Sequence, residues 1–181
     1  MTDRSYLDWP FFEPQHRAWA AEVEDWAGAH AHLADEHDVD GSCQRMVAAM
    51  GAAGLLRAAV PEVGALDLRK LCLARDIMGR HAGLMDFAFA MQGLGTGAIT
   101  LFGTPAQRAK WLPAVRAGTS LAAFALSEAA AGSDVAALAT TAVCDGDGWV
   151  LDGEKTWISN GGIAGHYVTF ARTGEGPGTK G

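Results

Sequence analysis

Hydrophobic positions change their spacing once along this chain. Up to about residue 118 they recur at three and four residues, the period of helices with one buried face. Trp19, Val23, Trp26 and Leu33 follow it, with Glu22, Glu24 and Asp25 between them, and predict a helix over residues 11–34. The polar stretch 35–40 breaks the pattern. Met46, Val47 and Met50 then give an apolar stripe to a shorter helix over 41–53, with Gly54 as its stop. Residues 55–61 read as extended and 61–64 as a turn. A third helix is expected over 66–80, with Leu68, Leu71, Cys72 and Met78 on one side.

Residues 84–102 are almost continuously apolar, broken by Asp86, Gln92 and small side chains. About 20 such residues can cross a bilayer. Gly93, Gly95 and Gly97 lower helix propensity, however, and no basic residues flank the segment closely enough to anchor it. The stretch is therefore read as the buried central helix of a bundle. Thr104-Pro105-Ala106-Gln107 is a helix start, because the threonine caps, the proline suits the first turn and Gln107 completes a capping box. That helix presents Trp111, Leu112 and Val115 and stops at Gly118.

Beyond residue 119 the apolar runs shorten to strand length. They fall at 120–126, 140–144, 149–151, 155–159 and 167–171, separated by Asp145-Gly146-Asp147-Gly148 and Asp152-Gly153. The expected division is a helical domain over 1–118 and a β domain over 119–181. Residues 173–181 read as a loop with no element after it, and so few strands leave exposed sheet edges. The expectation is the N-terminal part of a longer protein.

Composition narrows the partners. Hydrophobic residues make up 49% and charged residues 19%, as in ordinary globular proteins. The net charge of −7, with no lysine or arginine cluster, argues against nucleic acid and anionic membrane surfaces. Cys43, Cys72 and Cys144 make neither a disulfide framework nor zinc spacing, and the N-terminus lacks a signal-peptide core. Cytoplasm is the expected compartment. His30, His32 and His37 do not share a helix face, so no metal site is expected from them. Gly146 and Gly148 belong to no Gly-x-Gly-x-x-Gly phosphate loop.

Two segments carry candidate chemistry. Phe124 to Asp134 reads Phe-Ala-Leu-Ser-Glu-Ala-Ala-Ala-Gly-Ser-Asp, and Lys155 to Gly161 reads Lys-Thr-Trp-Ile-Ser-Asn-Gly. The first runs from a strand into small residues that let a ligand approach the backbone, with the Ser127 and Ser133 hydroxyls alongside. In the second, Trp157 and Ser159 would share one face of a strand. Together they would offer a stacking surface and a hydroxyl to one planar, polar-edged ligand.

In this order, with a Gly-Asp-Gly-Trp-Val-Leu-Asp-Gly hairpin between them, the segments resemble the motifs of the acyl-CoA dehydrogenase flavoproteins. Those motifs read aromatic-x-x-Thr/Ser-Glu-Pro-x-Ala-Gly-Ser-Asp and Lys-x-Trp-Ile-Thr/Ser-Asn-Gly. Here Ala129 stands where proline is usual and Ala130 where glycine is common. The resemblance implies an α+β fold: an N-terminal all-helical bundle, then an incomplete β-sandwich or barrel-like domain. The family's C-terminal helical bundle is absent from this chain.

The resemblance also implies an FAD cofactor. Phe124, Leu126, Ser127, Gly132, Ser133, Trp157, Ile158 and Ser159 would contact it, and Ser133 would also reach the acyl-CoA substrate. The implied reaction oxidises an acyl-CoA thioester to the 2,3-enoyl-CoA, with the β hydrogen leaving as hydride. The family's glutamate base lies in the C-terminal bundle, so no catalytic residue is named here. Glu128 and Asp134 are read as loop supports, Lys155 as a solvated strand residue and His166 as a strand start. An electron-transfer flavoprotein is the implied electron acceptor, and a homo-oligomer, dimer or tetramer, the implied assembly. A same-fold acyl-CoA oxidase, a flavin oxidase or hydroxylase, and a short non-catalytic partner subunit are the alternatives. The glycines of the 84–102 helix suggest room for a bulky acyl group.

Overall fold

The computed structural model describes residues 3–62, 66–174, 176 and 178. Five helices come first: α1 Pro14–His30, α2 Val39–Ala52, α3 Leu68–His81, α4 Gly83–Phe102 and α5 Pro105–Arg116. Four short strands follow: β1 Ala122–Ala125, β2 Thr141–Asp145, β3 Gly148–Asp152 and β4 His166–Thr169. β1 and β4 pair in parallel, and β2 and β3 form an antiparallel hairpin. This is the expected order of a helical bundle and then a partial sheet region, with no closed barrel among the described residues.

Local chemistry sets the helix starts. Asp38 accepts from the Gly41 N–H and opens α2. Thr104 and Gln107 cap α5 reciprocally, as their spacing predicts. The starts of α1 and α3 are joined through buried His16. Its Nδ1 accepts from the Glu13 N–H at 3.0 Å, so Nε2 carries the proton donated to Asp67 at 3.0 Å. Asp67 in turn accepts from the N–H groups of Arg69 and Lys70 at the head of α3.

The core lies where α1 packs on α3 and α4 packs on α3, α2 and β1. Met46, Met50, Ile77, Met78, Met85 and Phe89 are fully enclosed there. Each is worth about 1.5–3 kcal/mol of burial. The face of α3 differs from the one predicted. Leu73, Ala74, Ile77 and Met78 are buried, whereas Leu68 is 63% exposed and Cys72 also faces outward. Periodicity alone placed the stripe one step around the helix.

Two further expectations are corrected. Residues 55–61 are not extended, because Leu55–Ala58 forms a 3-10 turn that buries Leu55 and Leu56 after the left-handed Gly54. Of the predicted turn at 61–64, residues 63 and 64 lie outside the described residues, as does part of the 173–181 loop. The predicted strand at 155–159 is a loop, in which both Trp157 and Asn160 have positive φ, +56° and +61°. No helix among the described residues is long and apolar enough to cross a membrane. The two polar interruptions of α4 explain its place in the bundle. Asp86 makes a bidentate pair with Arg75 of α3, and Gln92 is fully buried with both ends of its amide bonded.

Candidate functional site

The site begins where α4 touches β1. The Gln92 side chain donates to the Ala88 carbonyl at 2.9 Å and accepts from the Ala122 N–H at 3.0 Å. From the other side, Asn160 donates to the Ala122 carbonyl at 2.9 Å. Gly95 makes the close approach possible: a Cβ there would lie 2.7 Å from the Ala122 Cβ and 2.8 Å from its carbonyl carbon. β1 is thus pressed against the central helix and aims the chain at Leu126 and Ser127.

Beyond β1 the two motif segments meet. The Ser127 carbonyl accepts from the Thr156 N–H at 3.0 Å. Lys155 donates to the Leu126 carbonyl at 3.0 Å and to the Glu128 carboxylate at 2.8 Å. Glu128 also accepts from the N–H groups of Ala139 and Thr140 and from the Thr140 hydroxyl. Burial alone would raise the pKa of this carboxyl. The Lys155 ammonium, then the Thr140 hydroxyl and the backbone donors outweigh burial and hold it at about 2. Reciprocal bonds between Glu128 and Ala131 close a turn with Ala129 and Ala130 at its tip. Those are the two positions that depart from the motif.

Lys155 is therefore not the solvated residue that the sequence suggested. Its side chain is 12% exposed, and that of Glu128 is 8% exposed. Glu128 supports the loop, as expected, and sequence reasoning missed its partner because a lone lysine in a polar run carries no sign of burial. Asn160 and Gln92 were missed as well. An isolated glutamine inside an apolar helix is the signal that points to the latter.

The predicted ligand-facing residues fall into three groups. Trp157 is 92% exposed, with its ring against no core, and Ser159 and Ile158 beside it are half-buried. Ser127 and Leu126 are half-buried at the strand exit, and neither N–H has a backbone partner among the described residues. Gly132 and Ser133 lie exposed beyond the Glu128–Ala131 turn, and a Cβ on Gly132 would meet nothing within 4 Å. Phe124 differs from these, since its ring packs on Phe170 of the sheet at 5.0 Å. Small residues, two free N–H donors and an exposed indole are a donor set and stacking surface suited to a planar heteroaromatic ring.

A groove of about 640 Å³ lies between α3 and α4, lined by Leu66, Leu71, Phe87, Ala90, Met91 and Leu94 among others, with the Arg75–Asp86 pair in its wall. Of the three glycines expected to leave room, Gly93 and Gly95 pack closely on Ala59 and Ala122, and only Gly97 faces open space. Among the described residues no three His, Cys, Asp or Glu side chains gather as metal ligands. His30 stacks on Trp26 at 4.3 Å, and His166 begins β4 beside Trp111, where burial pushes its pKa down.

Residues 13–119 match the family model described as acyl-CoA dehydrogenase, N-terminal domain, and residues 123–181 match the middle domain. The very long-chain specific acyl-CoA dehydrogenase, mitochondrial, of Mus musculus is 44% identical over 130 residues, 68% of this chain and 19% of that protein. A probable acyl-CoA dehydrogenase of Bacillus subtilis is 35% identical over 171 residues, 89% of this chain and 28% of that protein. The crystal structure of an acyl-CoA dehydrogenase complexed with FAD from Bacillus anthracis matches with a TM-score of 0.78 at 32% identity, over 90% of this chain and 29% of that one. The chain spans less than a third of the length of each of these three relatives. By sequence and by fold, it belongs to the acyl-CoA dehydrogenase family.

Proposed function

We propose that this chain supplies the flavin-facing wall, and part of the acyl-facing wall, of an FAD-dependent acyl-CoA dehydrogenase. The observation that carries the reading is the joining of the two motif segments by Thr156, Lys155 and Glu128. It joins the loop bearing the exposed Trp157 to the segment bearing Leu126 and Ser127, whose N–H groups have no backbone partner among the described residues. Trp157 would lie against the flavin ring, with the Ser159 hydroxyl near its polar edge. The Leu126 and Ser127 N–H groups would donate to its acceptors, and Ile158 would cover it. Phe124 would act behind the sheet rather than at the ring. Gly132 and Ser133, open to solvent, would admit the cofactor and the CoA portion of the substrate.

Bound FAD supplies the redox step and accepts the β hydrogen of the acyl thioester as hydride. The residues of this chain bind, orient and exclude water on one side. Removal of the α proton belongs to a base outside these residues. The same reading carries an electron-transfer flavoprotein as electron acceptor, homo-oligomeric assembly and a cytoplasmic location. Domain limits of 1–118 and 119–181 go with it.

The test is anaerobic addition of acyl-CoA to the full-length protein purified with its flavin. Bleaching of the flavin absorbance is expected, and Trp157→Ala should weaken flavin retention by about tenfold or more. A full-length protein that takes up no flavin, or whose flavin acyl-CoA leaves oxidised, overturns the reading. Rapid reaction of the reduced flavin with oxygen would point to an oxidase instead.

A further inference from the structure

Trp157 poses a mechanical problem. It holds a positive φ of +56° that costs a β-carbon-bearing residue free energy, yet its 92% exposed ring gains no packing that could hold it there. The conformation must be imposed by neighbouring anchors. One follows it, the Asn160 amide on the Ala122 carbonyl. Two precede it, the Thr156 N–H on Ser127 and the Lys155 ammonium on Leu126 and Glu128. Lys155 and Glu128 differ from the other ion pairs. Every other pair among the described residues has a partner at least 20% exposed, whereas these side chains are 12% and 8% exposed. Glu128 also gathers Ala139 and Thr140, so three chain segments converge on one carboxylate.

We propose that the Glu128–Lys155 pair is a positioning device, which fixes the loop bearing Trp157 against the loop bearing Ser127 and so sets the affinity for the planar ligand. The proposal rests on the flavin reading above. An enclosed charge that loses its partner is costly, so the pair acts as a lock and not as a surface ornament. Lys155→Met leaves the Leu126 carbonyl without its donor and Glu128 without its countercharge. Lys155→Arg keeps the charge and the reach to both acceptors.

The experiment uses the full-length protein and compares wild type, Lys155→Met, Lys155→Arg and Trp157→Ala. The measurements are FAD dissociation constant, apoprotein melting temperature and hydrogen exchange at Thr156–Asn160. For Lys155→Met the expected result is about tenfold weaker FAD binding, faster exchange at Thr156–Asn160 and a lower apoprotein melting temperature. Lys155→Arg should recover most of the affinity. Unchanged affinity in Lys155→Met overturns the proposal. So does an affinity loss that tracks the melting temperature and that Lys155→Arg does not recover. If Trp157→Ala loses FAD while Lys155→Met does not, the flavin reading stands and the positioning role falls. If wild type takes up no FAD, the flavin reading fails and exchange alone decides: unchanged exchange at Thr156–Asn160 in Lys155→Met overturns the lock, and faster exchange supports it.

Discussion

Glu128 shows how far one side chain depends on what surrounds it. Its carboxyl sits at about 2, below the ordinary 4.5, so the unfolded chain takes up its proton more readily than the folded one. The stability it contributes is complete above pH 4.5 and is lost as the pH falls from there toward 2. Thermal melts between pH 7 and pH 2 should therefore show a steep drop below pH 4.5. Glu128→Gln should start lower at neutral pH and fall less steeply, and parallel curves would contradict the assignment. Gln92 offers a second test at the same scale. Gln92→Leu keeps the bulk and leaves the buried Ala122 N–H without an acceptor, which should cost about 1–3 kcal/mol in denaturant unfolding. The partners of these two side chains are not legible from residue type. Glu128 stands in a motif that implies loop support, but the burial of Lys155 depends on a partner 27 residues earlier in the chain.

Among the elements, α4 is where sequence and structure agree best and where their difference teaches most. Its length and apolar character mark it as the central helix. The role of its glycines needs the neighbouring strand. Gly95→Ala would drive a Cβ into Ala122 and should destabilise by about 1–3 kcal/mol. Gly97→Ala meets nothing within 4 Å and should be neutral, or stabilising by up to about 1 kcal/mol. Chemical denaturation of the two variants checks the contrast, and equal effects would refute it. The helices were readable because their period repeats over many residues, and the start of α5 also carries Thr104 as a cap. Residues 155–159 were misread as a strand because Trp157 and Ile158 have strand propensity. Hydrogen bonds to Ala122, Ser127 and Glu128 override it, and no propensity scale contains those partners.

The whole molecule is unevenly covered. The β2–β3 hairpin presents apolar side chains on both faces, with Val143 directly opposite Val150 and Cys144 opposite Trp149. Val143, Trp149, Val150 and Leu151 are all more than half exposed. Antiparallel sheets with one solvated face alternate apolar and polar residues, whereas this hairpin does not. The 181-residue chain expressed alone should therefore self-associate, with a mass by light scattering that grows with concentration. The double substitution Val143→Lys and Val150→Lys should reduce that growth, and a concentration-independent 18.9 kDa species in the unsubstituted chain would refute the expectation.

The contacts of Ala122 bear on how β1 finds its alignment. The strand is four residues long, Ala-Ala-Phe-Ala, and so short and uniform a run says little about which residue should face which. Its first residue is gripped at both ends of its peptide groups, by a glutamine 30 positions before it and an asparagine 38 positions after it. A slip by one residue would cost both side chains their bonds to Ala122. The alignment of the strand is thus spelled by two distant side chains and not by the strand itself. Losing either amide should let the pairing wander.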